Sequence, residues 1–348
     1  MTLRLDVEDL DALAGEWKRL AARTGNVFAT WEWASVWWRH FAGDHRSLIT
    51  SCRDADGRLV AVLPFYLWAS RPLRVVRFIG HGPGDELGPV YAPQDRDEVA
   101  QATGQALANL RWSLFVGEHL PVDASWSALL RAKVIARDGN PRLRAPPDGW
   151  DGFLAGQSAH FRKRLRWQGR QLARHHRVAY RLVEDDERLP AALDTLFRLH
   201  QLRWPPGSSA FQPRAAFHRE FAATALERGW LRLWLLELDG HPAAALYGFR
   251  FGAVESHYQG GRDPAFDRLS LGLVLLAHAI RQAFDDGVAE YRFLHGRDAY
   301  KYRFADDDPG LETIALTRGI AARATLSAAR SAYPRLKHRL GRWRWAIT

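Results

Sequence analysis

Cysteine is almost absent from this chain of 348 residues, Cys52 being the only one. An internal disulfide is therefore excluded, a cysteine-built metal site cannot form, and the usage suits a reducing cytosol. Cys52 itself reads as a small buried hydrophobe rather than a nucleophile. Long apolar runs are missing as well. The best is a strand-like piece at residues 59–69, well short of the ~20 residues that a membrane-spanning helix needs, so an integral membrane protein is not expected. The opening segment, MTLRLDVEDLDALAGEW, carries acids and no apolar centre, unlike a secretory signal. The histidines show no metal-ligand spacing beyond the adjacent His175 and His176, whose side chains diverge on a helix, and no metal is expected.

Acidic residues are missing from two stretches. Between Gly152 and Val183 there are eight cations, Arg162, Lys163, Arg164, Arg166, Arg170, Arg174, Arg177 and Arg181, and no Asp or Glu. Arg162, Arg166 and Arg170 fall at i, i+4 and i+8, with Phe161, Leu165 and Leu172 forming an apolar stripe at helical offsets. So many like charges repel one another unless an anion is near, and Arg162, Lys163 and Arg166 are read as substrate-binding. A nucleotide-sugar, a lipid diphosphate, a tRNA backbone or a coenzyme pyrophosphate would each serve. The second stretch, Arg318 to Thr348, holds eight more cations and supplies +8 of the net +10. Tyr333, Leu336, Leu340, Trp343 and Trp345 interleave with them. Residues 319–348 therefore read as a basic amphipathic tail, with an anionic membrane surface, RNA and a loose cationic extension all open.

What is present is enough for two folded domains: 47% of the residues are hydrophobic, and the length suits roughly two cores. Helices are expected at 9–23 and 31–41, followed by strands at 47–53, 59–68 and 73–79, the first two joined by the hairpin signal Asp54-Ala-Asp-Gly57. The second half repeats this plan with strands at 230–238, 241–251 and 254–260. Pro146-Pro147-Asp148-Gly149 marks the expected boundary. The fold class is α/β with mixed α+β sheets, in two tandem domains. The later helix of the first half, at 97–110, starts well past the preceding loop, so this half is not expected to hold a phosphate. Its His81 and Asp85 lie on a glycine-rich loop suited either to the acceptor side of a cleft between domains or to an ordinary surface.

Chemistry concentrates between His257 and Phe304. A strand ending in Gly260-Gly261 leads through Arg262, Asp263, Pro264 and Asp267 to a helix opened by Ser270, a favoured N-cap, and closed by Gly287. A strand at 289–294 follows. Free N–H groups at a helix start hold phosphate, and Gly272 allows close approach, so Arg268, Ser270, Leu271 and Gly272 are the candidate cofactor-binding residues. His257 and Tyr258 are candidate bases on the neighbouring strand. Strict alternation would put Tyr258 with Gly260 on one face and His257 with Gln259 on the other. Asp298, Tyr300 and Lys301 come after the returning strand, where Lys301 would offset negative charge developing on an oxygen or a phosphate. Segment 300–304 also fits an edge strand with Lys301 exposed, and replacing Lys301 by Ala is expected to spare the fold. His200 and Arg203, one turn apart on a helix over 189–204, point the same way as candidate acceptor contacts, and the loop 205–213 is a candidate lid.

Asp263-Pro264, Ser270-Leu271-Gly272, Phe293-Leu294-His295-Gly296 and Tyr300-Lys301 together resemble the CelD/BcsL type of the GNAT acyltransferase superfamily, related to the Fem-type transferases. Phe161-Arg162-Lys163-Arg164-Leu165-Arg166, Leu199-His200-Gln201-Leu202-Arg203-Trp204 and Phe211 extend the resemblance over about residues 150–305. It implies tandem GNAT-like domains: 1–147, degenerate; 148–318, carrying the acetyltransferase site; and the tail 319–348. It also implies acetyl-CoA or another acyl-CoA as co-substrate. The general phosphate loop of the superfamily has a second small residue, where this chain has Arg268-Leu-Ser-Leu-Gly272-Leu-Val. The expected activity is acyl transfer to an amine or hydroxyl of a sugar, polysaccharide or cell-envelope precursor, the acceptor being a small molecule or lipid-linked glycan. The alternatives are a Fem-like enzyme that uses aminoacyl-tRNA, for which Lys301 would steady the oxyanion, and a non-catalytic factor in polysaccharide synthesis. The expected location is cytoplasmic, with peripheral contact at the inner membrane face through the tail.

Overall fold

Pro64 sets the layout of the first half, because a residue without an N–H cannot continue a central ladder. What alternation reads as one strand at 59–68 is two, Leu59–Leu63 and Phe65–Ala69, which enter different sheets. The computed structural model describes residues 3–204 and 209–327. They form two compact units, one running to Asn140 and resuming at Pro309, the other Pro141–Asp308.

In the first unit Arg4–Val7, Thr50–Arg53, Leu59–Leu63 and Val90–Tyr91 make a four-stranded antiparallel sheet, and the 53–59 turn is the expected hairpin. Cys52 lies fully buried in it, and loss of water pushes its thiol up to about 12. A six-stranded sheet runs Arg46–Ser47, Phe65–Ala69, Val75–Phe78, Leu114–Pro121, Leu311–Thr317, Lys133–Asp138. Val75–Phe78 and Leu114–Pro121 are parallel and joined through the helix Arg96–Asn109. Past Arg77 and Val116 they part, and the loop between them fills the gap. Leu87 N–H donates to His119 O, His119 Nδ1 lies 3.1 Å from Gly84 O, and a Cβ on Gly84 would stand 2.6 Å from the Leu87 side chain. His81 belongs to an aromatic cluster, bonded to the Tyr66 hydroxyl and accepting from Trp37 Nε1 through its carbonyl.

The boundary thus falls at 140/141 and not at the turn 146–149. Leu311–Thr317, expected in the second domain, pairs along both edges with strands of the first, and those two ladders decide its place. Of the tail, residues 328–348 lie outside the described residues.

The second unit is built on one sheet, in the order Arg142–Arg144, Glu290–Arg292, Val254–Arg262, His241–Phe251, Leu231–Leu238, Val178–Leu182. All neighbours are antiparallel except Val254–Arg262 and Glu290–Arg292. One face carries Trp234, Leu236, Ala244 and Leu246, which bury the helix Leu271–Asp285 through Leu271, Val274, Leu275 and Ile280. Each such side chain contributes roughly 1.5–3 kcal/mol of burial. Phe161, Leu165 and Leu172 of the helix Ala159–His175 pack on the same cluster, as their offsets require. On the other face Tyr247 and Phe249 meet Phe211, His218 and Phe221, from the segment after the helix Leu189–Arg203 and from the helix Ala215–Glu227.

Candidate active site

The ladder between the two parallel strands of the second unit ends at Ser256 opposite Arg292. Phe293 donates instead to Pro141 O at 2.9 Å, and Leu294 turns left-handed at φ 56°. The returning strand is therefore Glu290–Arg292, shorter than the 289–294 expected from alternation. Val254–Arg262 runs on without this partner to Arg262. The sheet opens at His257.

A bulge falls at the same point: Tyr247 faces Gln259 and Gly248 faces His257, so Tyr258 is an extra residue. It overturns the face assignment expected from strict alternation. His257 Nε2 lies 3.6 Å from where a Cβ on Gly260 would be, while the Tyr258 ring packs among Phe211, His218, Tyr247 and Phe249. The bulge needs Gly248, since a Cβ there would stand 2.2 Å from Ser256 O. Gly261 lies within the strand rather than beginning a loop. A Cβ on it would be 2.4 Å from His200 N, so its bareness lets the helix Leu189–Arg203 lie directly on the strand.

That contact delivers His200 and Arg203 to the opening. His200 is buried, with Nε2 3.3 Å from Ser209 Oγ, and burial first and the Arg203 charge second hold its pKa down at about 4. The Arg203 guanidinium sits over the rings of Trp204 at 5.0 Å and Tyr300 at 5.9 Å. It makes no hydrogen bond or ion pair with any described residue, and burial lowers its pKa. Of the candidate lid, residues 205–208 lie outside the described residues.

Lys301 is 4% exposed and lies in a 3-10 turn, not on an edge strand. Its Nζ donates to Leu294 O at 3.2 Å and His295 O at 2.6 Å, and Asp298 Oδ2 is 3.6 Å away. Leu294 and Gly296, with φ of 56° and 113°, bend the loop so that these carbonyls face the ammonium. The His257 ring centroid is 6.1 Å from that of Tyr300, and its Nδ1 is buried without a partner among the described residues. Burial, then Lys301, then Arg203 press its pKa down to about 3, so it is neutral at pH 7. Burial raises the Tyr300 hydroxyl well above its ordinary value.

The helix Leu271–Asp285 follows Val254–Arg262 and leads into Glu290–Arg292, so its first turn lies at the carboxyl end of the parallel pair, where open sheets bind ligands. Ser270 does not cap it as expected: it is left-handed at φ 51° and its side chain makes no cap bond. Its carbonyl takes the N–H groups of Leu273 and Val274, and those of Leu271 and Gly272 remain without a partner among the described residues. Leu271 is a core side chain, so only its backbone faces a ligand, whereas a Cβ on Gly272 would meet nothing within 4 Å. Arg268 is exposed near this turn.

Among the expected substrate cations the structure separates Arg162 from the rest. Arg162 Nη1 donates to Leu154 O, Ala155 O and Gln157 O, at 3.3, 3.2 and 2.5 Å, and so neutralises the carbonyl end of the helix Gly149–Gly156. Lys163 and Arg166 are exposed on the face of their helix away from the core. The structure brings together His257, Lys301, Asp298, Tyr300, His200 and Arg203. Reasoning from sequence missed the two carbonyls that hold Lys301 and the bulge at Tyr258.

A splayed parallel pair, a bulge at the split and a helix start beside it thus meet at one opening of the sheet. Residues 159–302, most of the second unit, match the family model described as acetyltransferase (GNAT) domain, and this unit has a GNAT-like fold. Solved structures of similar fold include one described as a tandem GNAT protein. FemX is 10% identical, with TM-score 0.63, over 94% of this chain and 100% of that one. The C-terminal domain of a putative lysylphosphatidylglycerol synthetase from Agrobacterium fabrum is 13% identical, with TM-score 0.57, over 92% and 96%. A tandem GNAT protein from the clavulanic acid biosynthesis pathway is 15% identical, with TM-score 0.50, over 91% and 99%. At these identities the likeness is one of fold. No curated protein matches the chain.

Proposed function

We propose that the second unit transfers an acyl group from an acyl-CoA to an amine or hydroxyl of a sugar or cell-envelope precursor, with the reacting carbonyl in the opening at His257. The observation that carries this reading is the placement of a neutral, buried histidine as the first residue past the end of the parallel ladder, beside Lys301 and Arg203. The free N–H groups of Leu271 and Gly272 at the carboxyl end of the same strands would receive the pyrophosphate. The acceptor's lone pair attacks the thioester carbonyl, a C–N or C–O bond forms, and the C–S bond then breaks. His257, neutral in this setting, accepts a hydrogen bond from the acceptor and orients its lone pair, and the acceptor's proton passes to the departing thiolate. The Lys301 and Arg203 charges offset the oxyanion in between. The structural neighbour described as a putative lysylphosphatidylglycerol synthetase domain, whose name carries a phospholipid, supports an acceptor from the cell envelope.

Calorimetric titration with acetyl-CoA and longer acyl-CoAs tests the donor. Binding of at least one is expected, and silence with all of them would favour an aminoacyl donor. Gly272→Ala sharpens the test, because the new methyl meets nothing in the protein. Its folding stability should match or exceed the wild type by about 0.5 kcal/mol, as Ala is the better helix residue, while acyl-CoA binding weakens about tenfold. Equal affinity in the two proteins would remove the helix start from the donor site.

A further inference from the structure

The outward face of the helix Ala159–His175 takes no part in the chemistry above. Its inward face is formed by Phe161, Leu165, Gln168 and Leu172, of which Gln168 and Leu172 are buried. At 100° per residue the centre of the opposite face is occupied by Arg166, Arg170, Lys163 and Arg174, within about 80° of one another, with Trp167 just beyond them. All four cations are exposed, and Trp167 is 50% exposed. Among the described residues none of the four has a hydrogen bond or ion pair. Nearby strand acids are already engaged, Glu237 with Arg181 and Asp239 with His176. The stripe extends about 16 Å along a straight helix axis.

We infer that this stripe docks the protein on an anionic phospholipid surface, with Trp167 at the headgroup level. The geometry selects a flat partner. The cations lie in one line along the crest of a convex helix, so a plane touches all of them at once, whereas a nucleic-acid strand is held in a groove whose walls supply charge from both sides. Long Arg and Lys stems reach sideways to phosphates while the indole enters the interface, as in helices that lie on membranes. Each cation near such a surface contributes about a fivefold factor in partition. The inference is independent of which donor the site uses.

The test is co-sedimentation of the full chain with vesicles of phosphatidylcholine alone and of phosphatidylcholine with about 30% phosphatidylglycerol, at low and at raised salt. The wild type should bind the anionic vesicles, and salt should release it. Arg166→Glu with Arg170→Glu should weaken binding more than tenfold, Arg166→Gln with Arg170→Gln should weaken it less, and Trp167→Ala should weaken it several-fold. Exposure of these side chains means that the melting temperatures should stay at the wild-type value. Reversing Arg339 and Arg342 in the tail is the control that separates the helix from the rest of the basic charge. Equal sedimentation of the helix variants and the wild type would overturn the proposal. So would tighter binding to bulk tRNA than to anionic vesicles, lost in the same variants.

Discussion

Lys301 is the residue whose replacement tests the site's architecture most sharply. From sequence, Lys301→Ala is expected to spare the fold. The structure requires the opposite, because Nζ is the partner of two loop carbonyls, Leu294 O and His295 O, and the side chain is 4% exposed. Lys301→Met keeps most of the stem and removes only the ammonium. Each carbonyl then loses a charge-assisted bond worth about 1.5–3 kcal/mol gross, partly offset because a desolvated cation has also gone, leaving a net loss of about 2 kcal/mol. Lys301→Ala deletes the stem as well, adding about 2 kcal/mol of lost burial. In a unit of roughly 150–250 residues each kcal/mol moves the midpoint by about 2–4 °C, so the melting transition of the second unit should fall by about 4–8 °C in the Met variant and about twice that in the Ala variant. Scanning calorimetry reads both. A Met variant melting within a degree of the wild type would refute the idea that Lys301 holds the 294–296 turn, and any loss of turnover would then be purely electrostatic.

Gly261→Ala should be among the most damaging single changes, since its methyl would stand 2.4 Å from His200 N; a loss of more than about 3 kcal/mol, or failure to yield soluble protein, is expected in urea melts. Arg162→Ala should cost about 1–2 kcal/mol by freeing the carbonyls at the end of the helix Gly149–Gly156, with acyl-CoA affinity unchanged by calorimetry. Acid should destabilise the second unit through His257 and His200, whose folded pKa values of about 3 and about 4 lie below the unfolded value of about 6.5. Below pH 6.5 the unfolded chain takes up protons that the folded chain refuses, so stability falls as pH drops from about 6.5 towards 4, by up to roughly 2 kcal/mol for each histidine at pH 5. Thermal midpoints measured from pH 7 to 4.5 should fall less steeply in His257→Gln and His200→Gln, and an identical slope would exclude these two groups as its source.

The elements that were legible in the sequence are those fixed by local periodicity and local turns. Trp31–Phe41, Arg96–Asn109 and Leu271–Asp285 stand within a residue or so of where their apolar spacing puts them, and Asp54-Ala-Asp-Gly57 makes its hairpin. What local pattern cannot show is pairing. Leu311–Thr317 reads equally well as a strand of either unit, and its membership is decided by backbone ladders to strands about 180 and 200 residues earlier in the chain. Pro64 is a local sign of the break between Leu59–Leu63 and Phe65–Ala69, because its missing N–H punctuates the apolar run.

The site divides along the same line. Its residue types were readable because a histidine, a lysine and an arginine near Gly-Gly and a helix start form a chemically suggestive set. Their relation to one another was not, because it turns on one inserted residue. Strict alternation would turn His257 away from Gly260; the extra residue at Tyr258 brings its Nε2 to that glycine instead. The signal that could have exposed the bulge is Gly248, on the neighbouring strand, where any Cβ would collide with Ser256 O. A glycine in the middle of an otherwise continuous apolar strand is a weak clue alone, because glycine also marks bends and close backbone approach. Three glycines on adjacent strands, at 248, 260 and 261, are a stronger one: two of them admit a neighbouring backbone, and the third leaves open the space in which His257 and Arg203 meet. The geometry of the candidate site is therefore written in the residues that are missing side chains as much as in those that carry charge.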